Sequence, residues 1–383
     1  MGYLSATAEA GAYDVGAAMQ ALAAKGGPGI LRQSVKLIAL ALGSRRIRPE
    51  EYFTYALYRK DRGRDFVRDF LSNSRKRDFN ASLEMPARGV ETAVLDDKLQ
   101  TEARFLAHGL PFARTNAVFA PDGASVPPMP HLAVLRSSAE ITAYLSNPDH
   151  FPVFGKPRSD SFARGAAAIA GQTAAGTLQF LSGEVVPIQG LADEIARDWT
   201  TGYLFQPFYQ TETSLRAHVG DAMASVRIVT LWTAAGIEPW YAVIRLPARS
   251  AMHDGDAIGE RIWGLIDIAS GEVIRLRSLR DPHSGDLIHG NNPDLPFLGF
   301  RMPHWQQAIE ITRSGHECFP GHGVIGWDVF LTPEGAILDE ANASPGHVYQ
   351  VAAQRPLLNP DMRPAYARAL AFARQHGGGE NAF

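Results

Sequence analysis

The densest array of chemistry-bearing side chains lies in GWDVFLTPEGAILDEANASPG, residues 326–346, where Asp328 sits in one apolar run and Asp339, Glu340 and Asn342 end a second. The pattern predicts strand, tight turn and strand across ThrProGluGly. The two-residue period of a strand puts Glu340 and Asn342 on one face and Asp339 on the other. Pairing across the turn then brings Asp328 toward Glu340 and Asn342. Two carboxylates and an amide oxygen are hard ligands, suited to magnesium whose shell is completed by substrate phosphates. The competing reading is a set of solvated turn flanks, which the neighbouring apolar residues weaken.

Positive charge is unevenly supplied. There are six lysines against 31 arginines, at positions 25, 36, 60, 76, 98 and 156, and none follows Lys156. Lys98 falls near a predicted helix start and Lys156 at the end of the predicted strand PVFGK, both places from which a compact ammonium can meet a phosphate. Solvent exposure is the alternative for each. The loop after Lys156, PRSDSFARGAAA, carries Ser159, Ser161, Arg164 and Gly165, a set of hydroxyls and backbone donors able to face a polyphosphate. It is not a GxxxxGK[ST] loop, no GxGxxG follows a predicted strand, and an ordinary surface loop fits it equally. Gln206 in YLFQPF is an amide on an apolar strand that could face a nucleobase, although burial explains most of that segment.

The elements that must position these groups fall into two styles. The first 95 or so residues read as helical packing, with Val67, Phe70 and Leu71 at amphipathic spacing. TAVLDDKLQTEARFLAHGLPFA follows a polar break, with Leu99, Ala103 and Leu106 on one face of a helix that stops at Gly109. From there short apolar runs alternate with turn signals: residues 117–120, PVFGK, AAIAG, GTLQFL, EVVPI, YLFQPFYQ, SVRIVTLWTA, PWYAVIRLP, GLIDIASG and EVIRLR are predicted strands. SSAEITAYLSN reads as a helix with Ser138 as its cap, and WQQAIEITRSGHECF fits a helix only approximately through Trp305, Ile309 and Ile311. The interleaving points to an α+β or mixed α/β architecture rather than a bundle.

Composition bounds the function. At 383 residues with 45% hydrophobic side chains the chain can bury a sizeable core in one large or two to three compact domains. With 37 basic and 40 acidic residues, net charge −3, no global field draws it to nucleic acid or an anionic membrane. Its one cysteine, Cys318, cannot form an internal disulfide, and its start lacks a secretory signal. Apolar stretches such as 37–42 and 240–246 are far shorter than the ~20 residues a membrane-crossing helix needs. A cytoplasmic protein without stable membrane insertion is expected.

In their order along the chain, EYFTYALYRK, LSNSRKRDFN, LDDKLQTEARFLAHGLPFA, VFGKP, YLFQPF, SVRIVTL and GWDVFLTPEGAILDEANASPG resemble the ATP-grasp superfamily, in particular its sugar-transfer-associated branch, over roughly residues 50–355. The resemblance implies an α+β ATP-grasp fold, with a nucleotide cleft between two α+β subdomains preceded by a helical N-terminal region. The expected organisation is 1–90 helical, 91–200 the first part of the core with a nucleotide-binding subdomain, and 201–383 the C-terminal subdomain with the metal site. It implies ATP and Mg2+ as cofactors and an ATP-dependent carboxylate–amine ligase that proceeds through an acyl phosphate. A phosphotransferase on the same fold and an inactive nucleotide-sensing module are the alternatives. The expected partners are a small-molecule or conjugate-bound carboxylate and an amine, with no nucleic acid; a homodimer is compatible.

By motif position the resemblance gives Lys98 and Lys156 to the ATP phosphates, and the loop with Ser159, Ser161, Arg164 and Gly165 as their mobile cover. Gln206 falls near adenine, and Asp328, Glu340 and Asn342 hold magnesium, Asp328 being the least secure. Arg227 and Arg245 are alternative forks for an acceptor carboxylate or acyl phosphate, Arg227 the better placed, with a structural salt bridge competing. AMHDGDAIGERIWGLIDIASGEV departs from the branch's asparagine- and glycine-rich substrate segment, so His253, Asp254 and Asp256, like His283 and His289 further on, leave the acceptor undefined. GHECFPGH, around His316, Cys318 and His322, matches no zinc template.

Overall fold

The computed structural model describes residues 2–4, 13–159, 165–174, 176–247, 262–278 and 285–380. Ser161, Arg164, His253, Asp254, Asp256 and His283 lie outside them.

The described strands are β1 (Ala117–Phe119), β2 (Ala133–Leu135), β3 (Val153–Pro157), β4 (Ala167–Ala174), β5 (Thr177–Phe180), β6 (Val185–Pro187), β7 (Tyr203–Pro207), β8 (Ser225–Thr233), β9 (Gly236–Leu246), β10 (Ile262–Ile266), β11 (Val273–Ser278), β12 (Val324–Thr332) and β13 (Gly335–Asn342). They form two sheets, a seven-stranded one in the order β2-β1-β7-β3-β4-β5-β6 and a six-stranded one in the order β11-β10-β9-β8-β12-β13. The arrangement is α+β, as expected, with two sheet-based subdomains and helices at the N-terminal end.

Each sheet is sided by its alternation. In the seven-stranded sheet Val153, Tyr203, Phe205, Ala117 and Phe119 enter a core with Ile141, Leu145, Leu191 and Ile195 from the helices Ser138–Leu145 and Ile188–Asp198. Lys156 and Gln206 fall on the opposite face, two register positions apart: Lys156 pairs with Leu204, and Gln206 with Phe154. In the six-stranded sheet Val226, Ile228, Trp327 and Val329 pack against the helix Trp305–Glu317. The other face buries Val229, Leu231, Tyr241 and Val243 against Phe79, Leu83, Tyr366 and Ala369.

Sequence spacing misses some of this packing for physical reasons. In the helix Lys98–Ala107 the buried stripe is Lys98, Leu99, Thr101, Glu102 and Phe105, and Leu106 is 48% exposed. An apolar count cannot see a stripe that includes a buried lysine and a buried glutamate. The cap of Ser138–Leu145 is Ser137, whose hydroxyl accepts from the Glu140 N–H, not Ser138. In Trp305–Glu317 small residues complete the stripe, since Ala308, Thr312 and Gly315 are buried beside Trp305 and Ile309. A Cβ on Gly315 would stand 3.0 Å from the Trp327 ring, which is fully buried. The helices Ile188–Asp198, Thr213–Val219 and Arg363–Gln375 lie in segments where no helix is expected from the motifs.

The two sheets are pinned together at Ala113. Its N–H donates to Leu338 O of β13 at 2.7 Å, and its carbonyl accepts from Gln206 Nε2 of β7 at 2.9 Å. Leu338 N–H also donates to Pro111 O at 3.0 Å, so the segment after the Lys98–Ala107 helix extends the edge of β13.

Candidate active site

One cross-strand row runs over four strands of the six-stranded sheet: Val243 on β9, Arg227 on β8, Asp328 on β12 and Glu340 on β13 are consecutive partners. Directly opposed residues share a face, so Arg227, Asp328 and Glu340 project together. Asn342, opposite Gly326, follows Glu340 on the same face. Arg227 grips Asp328 with a two-point fork, Nε to Oδ1 at 2.6 Å and Nη2 to Oδ2 at 2.9 Å. Arg245 adds a third contact, Nη2 to Oδ1 at 2.9 Å, while its Nε donates to Ser225 Oγ at 3.0 Å. Burial opposes the charge on Asp328, but the two guanidinium groups outweigh it and hold its pKa down at about 2. Burial likewise opposes the charge on Arg227, and Asp328 reverses the effect, raising its pKa.

The carboxylates of β13 depart from simple alternation. Asp328 pairs with Glu340 but Val329 pairs with Leu338, so Asp339 is the extra residue of a β-bulge. A bulge turns its extra residue out of alternation, and Asp339 does not face away from Glu340 as the strand period predicts. Asp339 Oδ1 accepts from Lys156 Nζ at 2.7 Å, and Glu340 Oε1 lies 3.8 Å from Lys98 Nζ. Both lysines are thereby brought from the seven-stranded side to the carboxylates of the six-stranded side. Burial alone would pull the Lys156 ammonium down; Asp339, with Glu340 and Glu102 behind it, more than compensates and raises its pKa. Glu340 is pushed up by desolvation, partly countered by Lys98 and Lys156.

Asp97 and Arg158 tie together the two elements that carry the lysines, and the motifs do not single either out. Asp97 caps the Lys98–Ala107 helix by accepting from the Leu99 and Gln100 N–H groups at 3.0 and 3.3 Å. Its carboxylate also holds Arg158, two residues beyond Lys156, through Nε at 2.9 Å and Nη2 at 2.5 Å. A helix start and a strand end are thus tied at one point. The signal available in sequence was an Asp immediately before the predicted helix start.

The remaining residues of the motifs are placed as follows. Gln206 is buried and its amide donates to Ala113 O and, at 3.3 Å, to Thr115 Oγ1. Ser159 is exposed. Gly165 has φ +71°, its carbonyl accepts from Tyr203 Oη at 2.8 Å, and a Cβ there would stand 2.1 Å from the Trp199 ring. Only glycine fits that closing position of the loop. His289 bridges Pro296. His316 is buried between Thr230 Oγ1 at 2.7 Å and His322 O at 2.7 Å. Because His322 O can only accept, Nε2 carries the proton of an imidazole that burial keeps neutral, and Nδ1 accepts from the Thr230 hydroxyl, which itself accepts from the Trp327 indole N–H. The Cys318 thiol donates to Ser314 O at 3.5 Å, its pKa raised by burial.

For a divalent cation the available donors are the Glu340 carboxylate and the Asn342 amide oxygen, two residues apart on one face. Asp328 is the least available of the three expected ligands, because its two oxygens already take three contacts from guanidinium groups. Among the described residues no group of three His, Cys, Asp or Glu side chains is arranged to hold a metal. The donor set therefore suits a cation that takes most of its shell from phosphate and water.

No curated protein sequence matches this chain. Its fold is similar to solved structures at low identity. VanG D-Ala:D-Ser ligase from Enterococcus faecalis is 12% identical with a TM-score of 0.40, over 74% of this chain and 62% of that one. The D-alanine-D-alanine ligase from Coxiella burnetii is 14% identical at 0.36, over 74% and 58%. An N5-carboxyaminoimidazole synthase from Aspergillus clavatus, in complex with ADP and 5-aminoimidazole ribonucleotide, is 12% identical at 0.36, over 66% and 44%. The chain thus spans less than two thirds of the length of each of these. Residues 78–362, which take in every strand of both sheets, match the profile of the family described as sugar-transfer associated ATP-grasp. By a match over well more than half its length, the chain belongs to the sugar-transfer-associated ATP-grasp family.

Proposed function

We propose that the protein is an ATP-dependent carboxylate–amine ligase. A carboxylate oxygen of one substrate attacks the γ-phosphorus of ATP and ADP leaves, giving an acyl phosphate. The amine of the second substrate then attacks the acyl carbon, phosphate leaves, the amine nitrogen loses a proton and an amide forms. The observation that carries this reading is the meeting of Lys98 and Lys156 with Glu340 and Asp339 between the two sheets.

Each side chain has a part in that chemistry. Lys98 and Lys156 orient the phosphates, Lys156 exchanging Asp339 for a phosphate oxygen. Ser159, Ser161, Arg164 and Gly165 belong to the segment that covers the phosphates. Gln206 holds the Ala113 crossing that shapes the adenine end. Glu340 and Asn342 hold magnesium, and Asp328 acts at one remove by fixing Arg227 and Arg245. When bound, magnesium supplies neutralisation of the negative charge on the phosphate oxygens. Arg227 and Arg245 stabilise the carboxylate and the acyl phosphate as charge builds there.

No helix among the described residues is long and apolar enough to cross a membrane. A cytoplasmic location, where ATP and small carboxylates and amines are at hand, is part of the proposal. The test is mass spectrometry of products after ATP, magnesium and an 18O-labelled carboxylate pool are supplied with and without an amine pool. The ligase transfers one 18O to inorganic phosphate and forms an amide only when the amine is present. A stable phosphorylated product indifferent to amine identifies a phosphotransferase instead. ATP binding without ADP formation identifies a sensing module.

A further inference from the structure

A cavity of about 510 Å3 lies beside this site, between the N-terminal helices and the chain that follows Asn342. Tyr13, Tyr55, Leu71, Trp263 and Val351 give it apolar walls, and Lys76 gives it a cation. Nine of its fifteen lining residues precede residue 78, where the family match begins. The cavity is therefore mostly the work of this chain's own helical N-terminal region.

Its polar groups are unequally satisfied. Glu51 lines the cavity with both oxygens engaged, by the Arg48 N–H at 2.8 Å and the Asn73 N–H at 2.7 Å. Glu50 lies 3.8 Å from Arg48. His347 is hydrogen-bonded on both ring nitrogens, to Tyr241 Oη at 2.9 Å and to Asn80 Oδ1 at 2.7 Å, which fixes the loop after Pro345 against the helix Lys76–Ala81. Lys76 is half-buried and, among the described residues, has no hydrogen bond or ion pair. The Trp263 indole N–H is buried without an acceptor. Burial, and then the neighbouring Arg227, lower the Lys76 pKa, so the cation is under strain from both desolvation and like charge. A half-buried cation and an orphan donor beside apolar walls are the complement of an acid on an apolar body.

We propose that this cavity receives the carboxylate substrate, an acid with an aromatic or branched apolar body. Its carboxylate sits at the Lys76 end, next to Arg227, and its body lies between Tyr55, Leu71, Trp263 and Val351. The assignment rests on the ligase reading above and gives that reading its substrate class. One ammonium and one indole N–H suit a carboxylate, whereas a phosphate monoester would call for a denser set of donors.

The experiment measures binding of N-acetylphenylalanine and its neutral counterpart N-acetylphenylalaninamide to the full chain by saturation-transfer NMR, with inorganic phosphate as competitor and no ATP. The acid is expected to bind at least about tenfold more tightly than the amide. Lys76→Met and Val351→Phe, the second filling the cavity, each weaken the acid by about tenfold, while Lys76→Arg retains most of the affinity. Melting curves identify any variant that does not fold, and Trp263→Phe then takes its place, with weakening again expected. No binding to the wild-type chain, equal binding of acid and amide, binding indifferent to these variants, or equal competition by phosphate each overturns the proposal. ADP formation on an acid–amine pair with binding indifferent to Lys76 and Val351 removes the cavity assignment and leaves the ligase. Charge-selective binding with no ADP formation on any pair removes the ligase and leaves the cavity as an acid-binding site.

Discussion

Lys156 Nζ lies 2.7 Å from Asp339 Oδ1, an ion pair in which the ammonium belongs to the seven-stranded sheet and the carboxylate to the bulged edge strand of the six-stranded one. It joins the two subdomains at the point where, in the proposed function, a triphosphate would carry its charge. A phosphate that takes the lysine must displace the aspartate.

Lys156→Met is therefore expected to leave Asp339 without its ion-pair partner and Glu340 with Lys98 alone, to weaken ATP by about tenfold and to cut turnover by about a hundredfold or more. Asp339→Asn acts in the opposite direction on affinity, tightening ATP by about fivefold because the lysine no longer has a carboxylate to leave. Isothermal titration with ATP measures both. Weaker binding in Asp339→Asn would contradict the competition.

Glu340→Gln removes the one carboxylate of the row that is not held by a guanidinium fork. Turnover is expected to fall by about a hundredfold, and the magnesium concentration giving half-maximal rate to rise by about tenfold. Chelation by EDTA abolishes wild-type turnover and excess magnesium restores it. A magnesium dependence unchanged in Glu340→Gln would exclude Glu340 as a ligand.

Arg227→Lys keeps the charge on the Asp328 row and loses the planar fork. The expected result is a carboxylate-substrate KM raised by about tenfold with ATP affinity changed by less than about twofold. Arg227→Ala goes further, leaving buried Asp328 with Arg245 alone, and costs up to about 3 kcal/mol in stability. Denaturant unfolding and steady-state kinetics separate these effects, and a variant whose KM moves for ATP alone would move Arg227 to the nucleotide side.

Three buried histidines predict how stability varies with pH. Burial holds His316 and His347 down to about 3 and His322 to about 4, against 6.5 for the free side chain. Below pH 6.5 the unfolded chain takes up protons that the folded chain refuses, so stability falls as pH falls and levels only below the folded values. Each group contributes a slope of about 1.4 kcal/mol per pH unit inside that window. Asp328, depressed to about 2, adds a loss in the same direction below its ordinary value of 3.8. Melting temperatures between pH 7 and pH 4.5 measure the slope. His322→Gln, which removes one group, is expected to flatten it, and an unchanged slope would rule out His322 as a contributor.

The sequence by itself determined every described strand except the three-residue β2, because β-branched and aromatic alternation between turn signals is a local property of the chain and β2 is too short to show it. It also determined the hairpin with Asp328, Glu340 and Asn342 on one face and the two lysines at element ends, and the ordered motifs carried the family. Three matters were left to the tertiary structure. The bulge at Asp339 arises from strand register, a relation between two strands that one strand's period cannot encode, and it turned a residue expected on the far face toward Lys156. The tie of Asp97 to Arg158 joins residues 61 positions apart and decides where both lysines stand. The capture of Asp328 by Arg227 and Arg245 spans three strands, and it spends on ion pairing the oxygens that spacing alone would offer to a metal. Local pattern fixes which groups exist and on what element; long-range pairing fixes which charges meet, because Coulomb energy depends on distances that only the folded chain sets.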